Sequence, residues 1–286
     1  MNKHLKELLF IILSISPLLI MSILSNLVEV PSSEISYEGL DRKVLMLSNS
    51  FLLFFFLVPY FAIKNNNNYL MNINRIKLLP AALVIISTLF FIVLNAPVIE
   101  WNKSISFPDF MSSFESWALL KEKQLESLTV YLVSFENNFE YIIGIFAIAL
   151  IPGFCEEYFF RGILQKNFNL LIKNSHVAIL LSSLLFSAFH LQFYGFFPRL
   201  FLGIFFGYLF YWSGSLIYPV IAHVFNNFLS LTVFYAANNG FFGENFDVSV
   251  NSSPDIPLAV IALSIIIFIF LVTILKEKLE YTNESG

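Results

Sequence analysis

Two adjacent carboxylates, Glu156 and Glu157, lie inside the otherwise mainly apolar stretch 141–161. A carboxylate at the centre of a bilayer costs about 3 kcal/mol or more, so such residues usually face a protein interior or a cavity and mark functional sites. Two further apolar stretches each contain a histidine, His190 and His223. One acid and two histidines in three different apolar stretches predict hydrolytic chemistry within a membrane.

The first motif is Glu156-Glu157-x-x-x-Arg161. Residues four apart share one face of a helix, so the spacing predicts an ion pair between Glu157 and Arg161. Adjacent residues project about 100° apart, which leaves Glu156 free to face a cavity as a general acid or base. The alternative is a structural network in which all three charges link neighbouring helices.

The histidines stand in two further motifs, Phe186-x-x-x-His190 and His223-x-x-x-Asn227, whose paired residues also share a helical face. Histidine binds metal, transfers protons or donates to an oxyanion, and the asparagine amide donates to developing negative charge. A lone histidine in an apolar helix is more often a packing residue. Two of them in separate stretches, one with an amide a turn away, favour a catalytic site.

The composition indicates a polytopic membrane protein. Of the 286 residues, 57% are hydrophobic and only 13% are charged, whereas a soluble globular chain carries about 25% charged residues. The single cysteine, Cys155, excludes an internal disulfide and a cysteine-based zinc cluster. The sequence has no basic nucleic-acid patch, so we expect no nucleic-acid partner and take the lipid bilayer as the surroundings.

A membrane span needs about 20 mainly apolar residues. By this rule the sequence predicts an all-α bundle of about eight transmembrane helices with an intramembrane cavity. The expected spans are 8–28, 44–63, 78–98, 139–165, 176–193, 199–213, 216–236 and 256–275.

These spans divide the chain into three parts. Residues 1–138 carry the first three spans and an outer amphipathic segment, residues 139–236 form the catalytic core, and residues 237–286 hold a loop and the last span. The segment 113–135 mixes aromatic and leucine side chains with charges. It is expected to lie on the outer membrane interface or to pack against the bundle.

The distribution of basic residues predicts that both termini are cytoplasmic, because Lys and Arg concentrate in inner loops. With this orientation the inner segments carry nine basic residues and the outer segments carry six. The outer six are Arg42, Lys43, Lys103, Lys121, Lys123 and Arg199.

Chain distances predict the depth of the candidate site. Glu156 and His190 each lie 17 residues from Lys173, so a helical hairpin with its tip at Lys173 would place both about 25 Å from that tip. His223 follows Ser215 by only eight residues. It is therefore expected to be shallower than the other two unless the turn at Ser215 is recessed.

The three motifs, in this order and in separate spans, closely resemble those of the CPBP family, which includes type II CAAX prenyl endopeptidases, Abi proteins and bacteriocin-processing enzymes. The resemblance covers residues 142–234. It implies an all-helical intramembrane protease in which Glu156 and His190 activate water while His223 and Asn227 hold the oxyanion. Glu157, Arg161 and Phe186 match the supporting positions of the motifs.

The leading hypothesis is therefore an endopeptidase acting on a membrane-associated protein or peptide, with CAAX-type proteins as the family's best-known substrates. The resemblance implies a metalloprotease by family name, in which Glu156, His190 and His223 would hold Zn²⁺ and leave a position for water. A metal-free glutamate mechanism fits the same residues. Two alternatives remain: a non-catalytic immunity or scaffold protein of the same fold, and a proton-coupled transporter.

Overall fold

The structure, a computed structural model, describes residues 41–53, 76–242 and 256–284. Within these ranges the chain is all-helical, as predicted. The helices of the described ranges are α1 (Arg42–Leu53), α2 (Leu78–Lys103), α3 (Ser112–Val133), α4 (Asn138–Ile172), α5 (Ser175–Phe189), α6 (Phe196–Ser213), α7 (Ile217–Asn238) and α8 (Leu258–Glu284).

Five helices of the described part, α2, α4, α6, α7 and α8, are long and apolar enough to cross a membrane. The protein is accordingly an integral membrane protein. The expected count of eight spans is not confirmed. The predicted span 8–28 lies outside the described residues, as does most of the predicted span 44–63.

Helix α5 is shorter than the predicted span 176–193, because its last helical residue is Phe189. His190 follows as the cap, and Leu191 takes a φ of 54°, a left-handed conformation that an α-helix cannot continue through. Helix α6 in turn begins at Phe196, before the predicted start at 199. With 15 residues, α5 is too short to span a typical bilayer by itself.

Helix α4 carries the two glutamates and changes its winding on both sides of them. Its segment Ile151–Glu157 is an ordinary α-helix, but it is flanked by the π-helical segments Ile145–Leu150 and Tyr158–Gln165. Pro152 at the start of the central segment has no N–H to donate. Local π turns inside α-helices are frequent at functional sites because they re-aim side chains.

The tip between α4 and α5 is closed by local hydrogen bonds. Lys173 takes a left-handed conformation with φ 57° and ends α4. The Asn174 side chain then accepts from the backbone N–H groups of His176 and Val177, at 3.1 and 3.2 Å, and begins α5. An N-cap of this kind satisfies donors that have no partner inside the helix.

The turn between α6 and α7 is buried rather than exposed. Gly214 takes a φ of 61°, a conformation that glycine adopts at no steric cost. The flanking Ser213, Ser215 and Leu216 are 3%, 1% and 0% exposed. The Ser213 hydroxyl accepts from the backbone N–H of Ser215 at 3.1 Å. The start of α7 therefore lies recessed in the protein.

Helix α1 packs against the start of α4, and helix α3 packs against the connection between α5 and α6. Arg42 of α1 forms an ion pair of 2.8 Å with Glu140 at the start of α4. In α3, the Phe114 ring lies 5.8 Å from the Phe193 ring, and Gln192 donates to Glu122 at 3.2 Å. Of the two alternatives for the segment 113–135, packing against the α5–α6 connection is thus observed.

Candidate active site

The predicted ion pair between Glu157 and Arg161 is present. Arg161 Nη1 donates to Glu157 Oε1 at 2.8 Å, and both side chains are 0% exposed. Arg161 Nη2 donates to the carbonyl of Gly203 in α6 at 2.9 Å. The pair therefore also fixes α4 against α6. A charged pair buried in this way is stable only when further hydrogen bonds satisfy it.

Two aromatic rings cover the guanidinium of Arg161. Its centre lies 4.6 Å from the Phe186 ring and 5.5 Å from the Phe206 ring. A cation over an aromatic face gains about 2 kcal/mol when water is excluded. Phe186, the first residue of the second motif, thus supports the charge pair of the first motif.

A second hydrogen bond repeats the contact between α4 and α6 one turn further along. Gln165 Nε2 donates to the carbonyl of Gly207 at 3.0 Å. A Cβ atom on Gly207 would lie 3.0 Å from Gln165 Oε1 in α4 and 2.8 Å from Ile179 Cγ2 in α5, so glycine allows both helices to approach α6 closely. The sequence signal for this contact is the small-x-x-x-small spacing of Gly203 and Gly207, which favours tight packing of membrane helices.

His223 contacts both glutamates. Its Nδ1 lies 2.8 Å from Glu157 Oε1, and its Nε2 lies 3.9 Å from Glu156 Oε2. Because Glu157 also pairs with Arg161, it acts as an acceptor and Nδ1 carries the hydrogen. The condition under which His223 was expected to lie deeper, a recessed turn at Ser215, is met, since Ser215 is 1% exposed and His223 lies beside both glutamates.

Glu156 has different surroundings from its neighbour. Its side chain is buried, and Oε2 has no hydrogen-bond partner among the described residues. Oε2 of Glu157 is likewise buried without a partner, but Oε1 of Glu157 accepts from Arg161 and His223, whereas none of the described residues donates a hydrogen bond to Glu156. A buried carboxylate oxygen without a donor is costly and requires an explanation such as a reactive role. The two adjacent carboxylates therefore suit different roles: Glu157 is held in a structural hydrogen-bond network, and Glu156 is free to react.

His190 is oriented by its own helix. Its Nδ1 lies 2.9 Å from the carbonyl oxygen of Phe186. A carbonyl only accepts, so Nδ1 is the donor and Nε2 of the neutral ring keeps its lone pair. The Phe186 ring lies 5.1 Å from His190 and 5.8 Å from His223, between the two histidines. Within the described ranges, His190 forms no hydrogen bond or ion pair with Glu156.

Asn227 reaches back to the first π-helical segment of α4. Its Nδ2 donates to the carbonyl of Ile148 at 3.3 Å, and its Oδ1 accepts from Asn226 at 3.2 Å. One hydrogen of the Asn227 amide is left for another acceptor. The close approach of α7 to α4 depends on Gly153, where a Cβ atom would meet Val224 Cγ2 at 2.6 Å.

The described residues include no group of three or more His, Cys, Asp or Glu side chains placed to hold a metal ion. The conceivable zinc set of Glu156, His190 and His223 is not assembled in this structure. His223 Nε2 is 3.9 Å from Glu156 Oε2, and two groups alone make an incomplete set of ligands. These side chains therefore do not fit a three-ligand zinc site as they stand.

Arg199 was expected in an outer loop, but it lies in the first turn of α6 and is half-buried. Its Nη2 donates to Gln192 Oε1. Spacing rules do not reveal this residue, because its neighbours come from α3 and from the α5–α6 connection. Gln165 was likewise missed, although it follows Arg161 by four residues and shares its helical face.

The sequence comparison agrees with this geometry. Residues 138–229 match the family model described as type II CAAX prenyl endopeptidase Rce1-like. This match supports a relationship between this part of the chain and the CAAX protease family. The match covers about a third of the chain and includes all three motifs. No curated protein and no solved structure matches the chain.

Proposed function

We propose that the protein is an intramembrane endopeptidase that hydrolyses a peptide bond of a membrane-associated protein or peptide. The observation that carries this proposal is that two adjacent carboxylates differ in their hydrogen bonding. Both carboxylates have one buried oxygen without a donor, but Glu157 is held by Arg161 and His223, whereas Glu156 accepts no hydrogen bond from the described residues and lies beside His223 Nε2. A carboxylate in this state is suited to accept a proton from water.

In the proposed reaction, Glu156 takes a proton from a water molecule while the water oxygen attacks the scissile carbonyl carbon. His190 assists through Nε2, because its Nδ1 is directed at the Phe186 carbonyl. The tetrahedral intermediate then breaks its C–N bond. Glu156 returns the proton to the leaving amine, so the carboxylate is regenerated and one water is consumed.

His223 and Asn227 stabilise the negative oxygen of the intermediate. Because Nδ1 of His223 donates to Glu157, Nε2 can donate only when the ring is an imidazolium. Asn227 contributes the amide hydrogen that Ile148 does not use. Such donors are most effective where water is excluded.

The proposed mechanism uses no metal ion, because the candidate zinc ligands do not form a complete set. Zinc dependence is nevertheless directly measurable. The metal-free Glu–His mechanism predicts that chelation and zinc addition leave the rate unchanged. Loss of activity on chelation with recovery on zinc addition would contradict it and require a rearranged ligand set.

The CAAX-type substrate class is part of the proposal. The matched family model is named for prenyl endopeptidases, and the buried site among membrane helices suits substrates held at the bilayer. A non-catalytic immunity or scaffold role and proton-coupled transport would use the same fold without peptide cleavage. These alternatives are separated by whether new peptide termini are formed.

The test compares membranes from cells that lack the protein with membranes that carry the wild type, Glu156→Gln or Glu277→Gln. Glu277 is an exposed carboxylate of α8 and serves as the matched control. Mass spectrometry of peptide termini should find new cleavage products with wild type and Glu277→Gln only. The same products with Glu156→Gln would contradict the proposed base, and no products with wild type would favour the alternatives.

A further inference from the structure

The direction of the His190 ring is set by the way in which α5 ends. In a regular α-helix the backbone N–H of His190 would bond to the carbonyl four residues earlier, that of Phe186. It bonds instead to the Ser187 carbonyl at 3.2 Å, and the N–H of Leu191 bonds to the Ala188 carbonyl at 3.1 Å. This three-residue spacing is that of a tightened last turn. The Phe186 carbonyl is thereby left for Nδ1 of the His190 ring, which lies 2.9 Å away.

This ending depends on an unfavourable backbone conformation at the next residue. Leu191 has a φ of 54°, in the left-handed region that a bulky residue rarely adopts. A residue persists in such a conformation only when the surrounding structure holds the chain there. Contacts that fix the connection between α5 and α6, residues 190–195, therefore also fix the His190 ring.

Asn102, near the end of α2, holds this connection through both halves of its amide. Its Nδ2 donates to the carbonyl of Phe193 at 3.1 Å, and its Oδ1 accepts from the backbone N–H of Phe197 at 2.9 Å. Phe197 is the second residue of α6, and the first N–H groups of a helix have no acceptor within it. Asn102 is 0% exposed, so water does not compete for either bond.

Neighbouring contacts support the connection but do not replace this amide. The Ser187 hydroxyl donates to the Phe196 carbonyl, and the Trp101 ring lies 4.9 Å from the Phe197 ring. Within the described part of the chain, no other side chain hydrogen-bonds to the Phe193 carbonyl or to the Phe197 N–H. Asn102 lies outside the matched residues 138–229, so the three motifs do not include it.

We propose that Asn102 is a positioning residue that keeps Nδ1 of His190 on the Phe186 carbonyl and thereby keeps the Nε2 lone pair for the reaction. This inference rests on the proposed function. Without the amide, Leu191 can leave the left-handed region and α5 can extend. The His190 N–H then takes the Phe186 carbonyl, and the ring loses the acceptor that fixes its tautomer and direction.

Cleavage kinetics in proteoliposomes test the consequence for the reaction. Asn102→Ala should lower kcat about 10- to 100-fold per folded molecule with KM unchanged, because misplacement of a catalytic group has an effect of this size. Asn95→Ala is the matched control, since Asn95 also lies on α2 and donates to an α6 carbonyl, that of Pro198, at 3.2 Å. It should keep the wild-type kcat. A wild-type kcat for Asn102→Ala, or an equal loss in Asn95→Ala, would overturn the proposal.

A second substitution separates positioning from a loss of stability. Glycine adopts the left-handed conformation without a steric cost, so Leu191→Gly in the Asn102→Ala background should restore most of the kcat. The Phe197 N–H still lacks its acceptor, and glycine raises the conformational entropy of the unfolded chain. The Tm should therefore stay below that of wild type. Recovery of kcat and Tm together, or of neither, would indicate a purely structural role and overturn the proposal.

The ring itself can be followed without any cleavage, which separates failure of this inference from failure of the proposed function. Nitrogen NMR of isotope-labelled histidine, at a pH where the ring is neutral, should show the His190 hydrogen on Nδ1 in wild type and a mixture of tautomers in Asn102→Ala. The His190 signal is assigned by its absence from His190→Gln.

Leu191→Val keeps Asn102 but makes the left-handed conformation more costly, because a β-branched residue is least tolerated there. It should show the same mixture of tautomers, and it provides the test if Asn102→Ala does not fold. The wild-type tautomer in either variant would overturn the role of Asn102. A protein that shows these tautomers but cleaves nothing would support that role in orienting the ring and refute the endopeptidase.

Discussion

Replacement of Arg161 by methionine tests the assignment of Glu157 as a structural carboxylate. The variant removes the guanidinium but keeps an unbranched side chain against Phe186 and Phe206. Glu157, which is 0% exposed, would then retain only His223 as a hydrogen-bond partner of Oε1. The carbonyl of Gly203 would also lose its donor. The protein should therefore unfold more easily, independently of any effect on catalysis.

The structure sets the expected magnitude. Removing one partner of a buried ion pair costs about 3–5 kcal/mol, because the other charge stays buried. For a chain of this size class, each kcal/mol lowers the Tm by about 2–4 °C. Arg161→Met should therefore lower the Tm in detergent by roughly 6–20 °C. The double variant Glu157→Gln, Arg161→Met leaves no unpaired charge. It should therefore have a higher Tm than Arg161→Met alone.

Thermal unfolding followed by circular dichroism and by light scattering gives the required Tm values. The matched control is Lys276→Met, which breaks a pair of the same four-residue spacing with Glu280 that is 3.9 Å long and about half exposed. An exposed pair contributes about 1 kcal/mol or less. A Tm for Arg161→Met equal to that of wild type, or a double variant less stable than the single one, would refute the reasoning.

Three other outcomes are expected. Asn227→Ala should stay folded but cleave substrate about 10²- to 10³-fold more slowly, as measured for loss of one oxyanion donor; an unchanged rate would remove it from the site. Gly153→Ala should lower stability by about 1–3 kcal/mol in chemical denaturation, because its Cβ atom would meet Val224; wild-type stability would contradict that contact. A cysteine at position 174 in the Cys155→Ala background should react only with reagents on the cytoplasmic side, and labelling from the outside alone would reverse the proposed orientation.

Contacts within one helix were predictable from the sequence. The four-residue spacing of Glu157 and Arg161 sufficed for their ion pair, because both residues lie on α4 and helical geometry fixes their relation. The same spacing related Phe186 to His190, whose side chain binds the Phe186 carbonyl. The all-helical class followed from composition and the length of the apolar stretches.

Contacts between helices were harder to predict from the sequence. Chain counting could not fix the depth of His223, because that depth depends on whether the turn at Ser215 lies at the surface, and Ser215 is 1% exposed. The end of α5 at Phe189 was also missed, since the apolar side chains of Leu191 and Phe193 continue beyond it. The left-handed conformation of Leu191 decides that boundary, and no residue type in the sequence signals it.

The half-buried position of Arg199 could not be predicted from the sequence either. A basic residue near the end of an apolar stretch is ordinarily counted as a loop cation that reports topology. Its half-buried position beside Gln192 depends on how α3 and the α5–α6 connection pack. Such packing follows from tertiary structure and not from a local pattern.

The central claim is that Glu156 activates water while Glu157 holds His223 and Arg161. Its most direct test is the single-turnover cleavage rate of purified wild-type protein and Glu156→Gln in proteoliposomes, with the Tm of each as a folding control. We expect that Glu156→Gln keeps a Tm close to that of wild type and loses cleavage entirely, since its amide cannot accept the water proton. Cleavage by folded Glu156→Gln at the wild-type rate would contradict it.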